Sequence, residues 1–175
     1  KTSFKRTPLL VKIHSGPTGM ASNGLNRAIQ FWTSRGWSVL DINYSGSTGY
    51  GREYRDRLKG SWGKADVFDC YSAVTELVRL GKINKEYIAI EGSSAGGFTA
   101  LASLYYSDIF KVAACKYPVT DLMAMADKTH RFEENYLDYL LGSLNVNKKK
   151  YIKYSPIHNV GKITAPVIFF HGLKD

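Results

Sequence analysis

A serine hydroxyl becomes a useful nucleophile where a sharp turn lifts it clear of the backbone and its neighbours leave room around it. The stretch Gly92-Ser93-Ser94-Ala95-Gly96 has that form, a GxSxG pattern that follows an apolar run and opens a segment with helical spacing. Glycine at the two flanking positions is what such a strand-to-helix elbow needs, because a side chain at either would strike the strand or the helix. The chemistry would be acyl transfer. Ser94 would attack a carbonyl, a histidine would take its proton, an acid would orient the histidine, and backbone N–H groups would hold the oxyanion. Read alone, the same five residues also describe an ordinary Ser/Gly loop, so the rest of the chain must decide.

An elbow needs a strand before it and a helix after it. Five short runs rich in Val, Ile, Leu, Phe and Tyr read as strands: Leu9–Ile13, Trp37–Ile42, Tyr87–Glu91, Val112–Tyr117 and Val167–His171. Helical spacing fills the gaps. One helix, capped by Asn23, would bury Leu25, Ile29 and Trp32 and stop at Gly36. A second would align Val67, Tyr71, Val74 and Val78 before Gly81, and a third would leave the elbow with Phe98, Leu101 and Tyr105 inward. The alternation predicts an α/β fold with a mostly parallel sheet flanked by helices. At 175 residues, one domain is expected.

Two segments fit neither pattern. Asp121–Leu141 reads as helical pieces making an excursion over the end of the sheet. Tyr44–Gly63, with five glycines among aromatic residues, reads as a long irregular loop. It should be packed rather than mobile, with Tyr50 and Trp62 largely buried.

Ligands of a parallel sheet collect at the carboxyl ends of its strands. Ser94, the His14–Gly19 loop and the Gly172–Asp175 segment all fall there. The N–H groups of Ala95, just after the serine, and of Gly16, in the loop after the first strand, are the candidate oxyanion donors. The remaining acids have structural readings. Asp121 reads as a helix cap, and Asp66 and Asp69 lie in a helical first turn where the dipole favours carboxylates. Tyr44, Tyr50 and Tyr54 read as packing residues of the long loop. Glu133 and Glu134 read as a surface pair, with contact to a substrate amine as the lesser alternative.

The chain carries 24 Lys plus Arg against 15 Asp plus Glu, a net charge of +9. The basic residues are scattered, however, and the one tight cluster, Lys148-Lys149-Lys150, reads as the solvated face of a polar loop. No nucleic-acid-binding motif accompanies the charge, so no nucleic-acid partner is expected. No run of about 18 apolar residues appears and the N-terminus lacks a signal-peptide core, which points to a soluble, cytoplasmic protein without a membrane partner. Cys70 and Cys115 are isolated, so neither a zinc site nor a disulfide is suggested, and no metal or other cofactor is implied.

Six blocks carry a family resemblance: "IHSGPTGMAS" (Ile13–Ser22), "DINYSGSTGYGREYR" (Asp41–Arg55), "WGKADVFDC" (Trp62–Cys70), "EGSSAGGFTAL" (Glu91–Leu101), "THRFEENYL" (Thr129–Leu137) and "PVIFFHGLKD" (Pro166–Asp175). In this order the chain resembles the catalytic domain of the prolyl oligopeptidase family of serine peptidases, most closely its acylaminoacyl-peptidase-like branch. The resemblance implies an α/β-hydrolase fold, Ser94 as nucleophile, Asp175 as the acid of an HGxxD motif, a peptide substrate, and a β-propeller domain on the N-terminal side of the parent chain.

Two departures follow. Ser15 stands where the family pattern His-Gly-Gly-Pro has glycine. The triad order Ser, Asp, His also leaves no histidine after Asp175, while His14, His130, His158 and His171 all precede it and read as structural. Residues 1–175 are therefore expected to be part of an α/β-hydrolase peptidase domain truncated on its C-terminal side. The catalytic histidine would lie beyond them, and the sheet edge beside Val167–His171 would be unpaired. A carboxylesterase of the same fold and a non-catalytic chain that retains the fold are the alternative readings.

Overall fold

The computed structural model describes residues 6–128 and 134–174. One inner strand of its sheet, next to the central one, is strongly apolar. In β1 (Thr7–Ile13), Leu9, Leu10, Val11 and Ile13 are all buried, as a strand covered on both faces requires. On one side β1 pairs with β2 (Ser38–Ile42), and on the other with β3 (Ile83–Ser93). The sheet continues through β4 (Val112–Lys116) to β5 (Val167–Phe170), in the order β2-β1-β3-β4-β5, with every pairing parallel. The five expected strands are therefore present, with ends shifted by a few residues.

The connections are α1 (Arg27–Thr33), α2 (Gly51–Asp56), α3 (Ala65–Arg79), α4 (Ala95–Tyr106), α5 (Leu122–Lys128), α6 (Glu134–Leu141) and α7 (Leu144–Tyr154), followed by two 3-10 turns, Pro156–His158 and Val160–Lys162. α4 is the centre of the helical layer. Ala95 through Leu104 are all buried, between β3 and β4 on one side and α3 on the other. Such a helix is apolar all round because it has no solvent face. Cys70 and Cys115 are free thiols in this core. Among the described residues no helix is long and apolar enough to cross a membrane.

Five expectations are corrected. The first helix is capped by Asn26 rather than Asn23: Asn26 Oδ1 accepts from the N–H groups of Ala28 and Ile29. Its residues are not buried and Leu25 is 85% exposed, because α1 rests on the outer strand β2, where Trp32 packs edge-on against Phe31 and Trp37. The long loop holds a helix, α2. Within it Trp62 is fully buried, as expected, but Tyr50 is 53% exposed: its ring leans on Tyr54 and its hydroxyl accepts from Asn43 at the surface. Finally, Lys148–Lys150 lies in α7, and Lys150 is not simply solvated. Its ammonium donates to the carbonyls of Gly60 and Leu141.

β5 pairs with β4 alone among the described residues, and Ile168, Phe169 and Phe170 are each about half exposed along it.

Trp62 pins the long loop to α4. Its ring sits 4.4 Å from that of Phe98, and its Nε1 has no hydrogen-bond partner among the described residues. Trp62→Ala should cost about 3–5 kcal/mol in denaturant unfolding, because it opens a large cavity. Trp62→Phe should cost clearly less, since it keeps a ring on Phe98 and removes the orphan donor. Equal losses from the two substitutions would contradict this packing account.

Candidate active site

The β3–α4 connection is a single residue. β3 ends at Ser93, α4 begins at Ala95, and Ser94 between them takes φ 52° and ψ −120°. That φ lies in a region which non-glycine residues enter only under strain. Backbone bonds hold it there. Ser94 N–H donates to Lys116 O at 3.0 Å, and Ser94 O accepts from Phe98 N at 3.0 Å and Val119 N at 3.3 Å. The glycines permit the close approach: a Cβ on Gly92 would collide with the backbone of Gly96, and one on Gly96 would collide with the carbonyls of Ile13 and His14. The end of β1 thus presses on the first turn of α4, which places the His14–Gly19 loop beside Ser94.

Both candidate oxyanion donors belong to this junction. Ala95 opens α4, and N–H groups of a first helical turn have no intrahelical acceptor and sit at the positive end of the dipole. Gly16 takes φ 130°, a conformation that a side chain would resist. Around it the loop is hydrogen-bonded from several sides. His14 Nδ1 lies 2.9 Å from Ser15 O and Nε2 lies 2.7 Å from Ser47 Oγ. Tyr44 donates to Pro17 O at 2.8 Å, and Tyr136 donates to Gly16 O at 3.1 Å. The His14 ring is stacked on Tyr44, and burial lowers its pKa.

His14 is therefore engaged within the loop, and His158 is exposed in its 3-10 turn. His171 directly follows β5. The two ring nitrogens of His14 face Ser15 O and Ser47 Oγ rather than Ser94. Asp175, His130 and Glu133 lie outside the described residues, and Glu134 opens α6. Asp121 is the helix cap expected, its Oδ1 accepting from the N–H groups of Met123 and Ala124.

Asp66 and Asp69 do more than face a helix dipole. Asp69 braces the long loop by accepting from Ser45 N–H at 2.7 Å. Asp66 is fully buried, accepting from Gly63 N–H at 2.7 Å and Thr99 Oγ1 at 2.6 Å. Thr99 Oγ1 also lies 3.3 Å from Ala95 O, so the network stands directly beneath the first turn of α4. Burial pushes the Asp66 carboxyl up to about 6. Sequence reading missed this role because Thr99 is 33 residues away.

On the sheet side, Lys12, Asp41 and Glu91 are register neighbours on three strands. Lys12 pairs with Glu91, while burial raises the Asp41 carboxyl above its ordinary range. They line a cleft of about 250 Å³ together with His14, Ser15 and Ser93. The cleft adjoins the elbow without including Ser94.

A parallel sheet flanked by helices, with a strained one-residue turn from the third strand into a buried helix, is the architecture of the α/β-hydrolases. The chain belongs to the prolyl oligopeptidase family, whose model matches residues 23–175. It is 32% identical over 183 residues to the acylamino-acid-releasing enzyme of Arabidopsis thaliana, covering all of this chain and 24% of that protein. Among solved structures, a puromycin-hydrolyzing peptidase of Mycobacterium tuberculosis matches at 41% identity and a TM-score of 0.93, over 97% of this chain and 26% of that one. Pyrococcus horikoshii acylaminoacyl peptidase matches at 26% identity and a TM-score of 0.88, over all of this chain and 29% of that one. The chain thus spans about a quarter of the length of the curated relatives it matches.

Asp66 offers a pH test. An unfolded carboxyl titrates near 3.8 and the folded one at about 6. Between those values the folded state keeps a proton that the unfolded state has released, so this contribution to stability is lost as pH rises through the window. The stability of the wild type minus that of Asp66→Asn should therefore fall across that range when both are unfolded in denaturant at a series of pH values. A difference independent of pH would contradict the buried, protonated carboxyl.

Proposed function

We propose that this chain is the nucleophile-bearing part of a serine peptidase that hydrolyses short peptides or acylpeptides through an acyl-enzyme on Ser94. The observation that carries the reading is the strained φ at Ser94, on the one-residue turn between β3 and α4, in a chain of a peptidase family. Strain of this kind is retained where the surrounding structure over-determines it, and its chemical use is to expose the hydroxyl. The N–H groups of Gly16 and Ala95 would hold the oxyanion of the tetrahedral intermediate. Asp175 would orient a histidine supplied from outside these 175 residues. That histidine would take the proton of Ser94 and return it to the leaving amine. Without it the Ser94 hydroxyl stays protonated and is a weak nucleophile at neutral pH.

The names of the relatives favour amide substrates. Acylamino-acid release is named for the plant relative at 32% identity, and puromycin hydrolysis for the structures at 41% and 40%. An N-acylated peptide and puromycin are therefore the two substrates to compare, with a simple aryl ester as the control for a carboxylesterase. The natural full-length protein should cleave at least one of the two amides, and an enzyme that turns over the ester alone would sink the peptidase reading.

Ser94→Ala in that protein should lower kcat by several orders of magnitude while leaving the melting temperature near that of the wild type, because it removes the nucleophile and little packing. Ser93→Ala should cost far less. Near-normal amide hydrolysis by Ser94→Ala would end the assignment.

A further inference from the structure

We propose that His14, Ser15 and Tyr136 are positioning residues that aim the Gly16 N–H at the oxyanion; the inference rests on the reading of Ser94 as the nucleophile. A backbone N–H has no direction of its own. It lies in the plane of its peptide, antiparallel to the carbonyl of the preceding residue. The direction of the Gly16 N–H is therefore set by whatever holds Ser15 C=O. That carbonyl faces His14 Nδ1 at 2.9 Å. A carbonyl oxygen only accepts, so Nδ1 carries the proton and the ring acts as a fixed donor. The ring itself is held in place, stacked on Tyr44 at 4.2 Å with an interplanar angle of 13°, while Nε2 meets the hydroxyl of the fully buried Ser47.

The peptide on the other side of Gly16 is held as firmly. Gly16 O accepts the proton of Tyr136 OH at 3.1 Å. With that one proton committed, the hydroxyl's two other contacts must fall on its lone pairs: Thr18 N–H at 3.2 Å and Thr18 Oγ1 at 2.7 Å, both donating. Tyr136 thus spans from α6 to both ends of the turn around Pro17. Gly16, at φ 130°, is the residue with the most backbone freedom to lose. Both of its flanking planes are fixed by side chains from elsewhere in the loop and from α6.

The third tether joins the two halves of the oxyanion site. Ser15 Oγ donates to Ser93 O at 3.1 Å, the carbonyl immediately before Ser94. A glycine at position 15, as in the family pattern, has no hydroxyl to make this bond. The loop bearing one oxyanion donor is thereby tied to the elbow bearing the other, which sets the distance between Gly16 N–H and Ala95 N–H.

The test is made in the natural full-length protein with Tyr136→Phe, Ser15→Ala, His14→Ala and His14→Asn. Three readings are compared: kcat and KM for an amide substrate, the affinity of a peptide boronic acid that forms a tetrahedral adduct on the serine, and the affinity of the noncovalent product peptide. Misaiming one donor should lower kcat roughly tenfold to a hundredfold for Tyr136→Phe and His14→Ala, somewhat less than deleting an oxyanion donor outright. Ser15→Ala, at an exposed position, should give a smaller loss in the same direction. Boronate affinity should fall in parallel, while KM and product affinity stay put. His14→Asn should recover part of the loss, because its amide nitrogen can stand in for Nδ1. Melting temperatures of Tyr136→Phe and Ser15→Ala close to the wild type would separate misaiming from unfolding.

The proposal is overturned if these variants raise KM with kcat intact, weaken boronate and product equally, or behave as wild type while Ser94→Ala is inactive. An active Ser94→Ala would instead overturn the nucleophile reading, and this inference with it.

Discussion

Three stretches of backbone converge at Ser94 more closely than side chains would allow. The end of β1, the end of β3 and the first turn of α4 share a junction in which Gly92 and Gly96 have no space for a Cβ, and Ser94 itself is held at a positive φ. A non-glycine residue in such a conformation costs on the order of 1–3 kcal/mol, so the surroundings must over-determine it. They do so through α4, buried from Ala95 to Leu104, and through β4, whose last residue accepts the Ser94 N–H. The stiffness of the site is a property of the core beneath it. The same close approach brings the loop leaving β1 beside the serine, which the segment after β4 also reaches through the Val119 N–H bonded to Ser94 O.

A second layer carries that order outward. Gly63 and Trp62 bring the long loop onto Phe98, and Asp66 bonds Gly63 to Thr99 one turn along α4. The same part of the loop supports α6: Gly60 N–H donates to Tyr139 O and Trp62 N–H to Leu140 O, while Tyr139 OH donates to Asp56. Lys150 closes the seam by bonding Gly60 and Leu141 together. α6 is thereby fixed where its Tyr136 meets the Gly16 carbonyl. A sequence of local contacts thus runs from a buried carboxylate, through an aromatic loop, to the backbone that would bind an oxyanion.

How much of this the sequence reveals depends on how local each cause is. The elbow was legible because its requirement, small residues on both sides of one serine, is written within five positions. The strands were legible because burial on both faces leaves continuous apolar runs. α1 departs from its pattern because the helical spacing of Leu25, Ile29 and Trp32 predicts a core face, whereas the helix rests on β2 and leaves Leu25 in solvent. Tyr50 departs for a related reason: aromatic content predicts packing, but a phenol can satisfy its hydroxyl at the surface while its ring leans on Tyr54. Asp66 and Tyr136 were out of reach, because their partners Thr99 and Gly16 lie 33 and 120 residues away. Nothing in the neighbouring residues signals such pairings.

The account rests on Ser94 as the covalent nucleophile, and the most direct measurement is to trap it there. The natural full-length protein would be treated with a serine-directed fluorophosphonate until activity is lost, digested, and the adduct located by mass spectrometry. One adduct per active site, on Ser94 and appearing in step with the loss of amide hydrolysis, is the result this structure predicts. Loss of activity with the adduct on Ser93 or on a serine away from the elbow would contradict it.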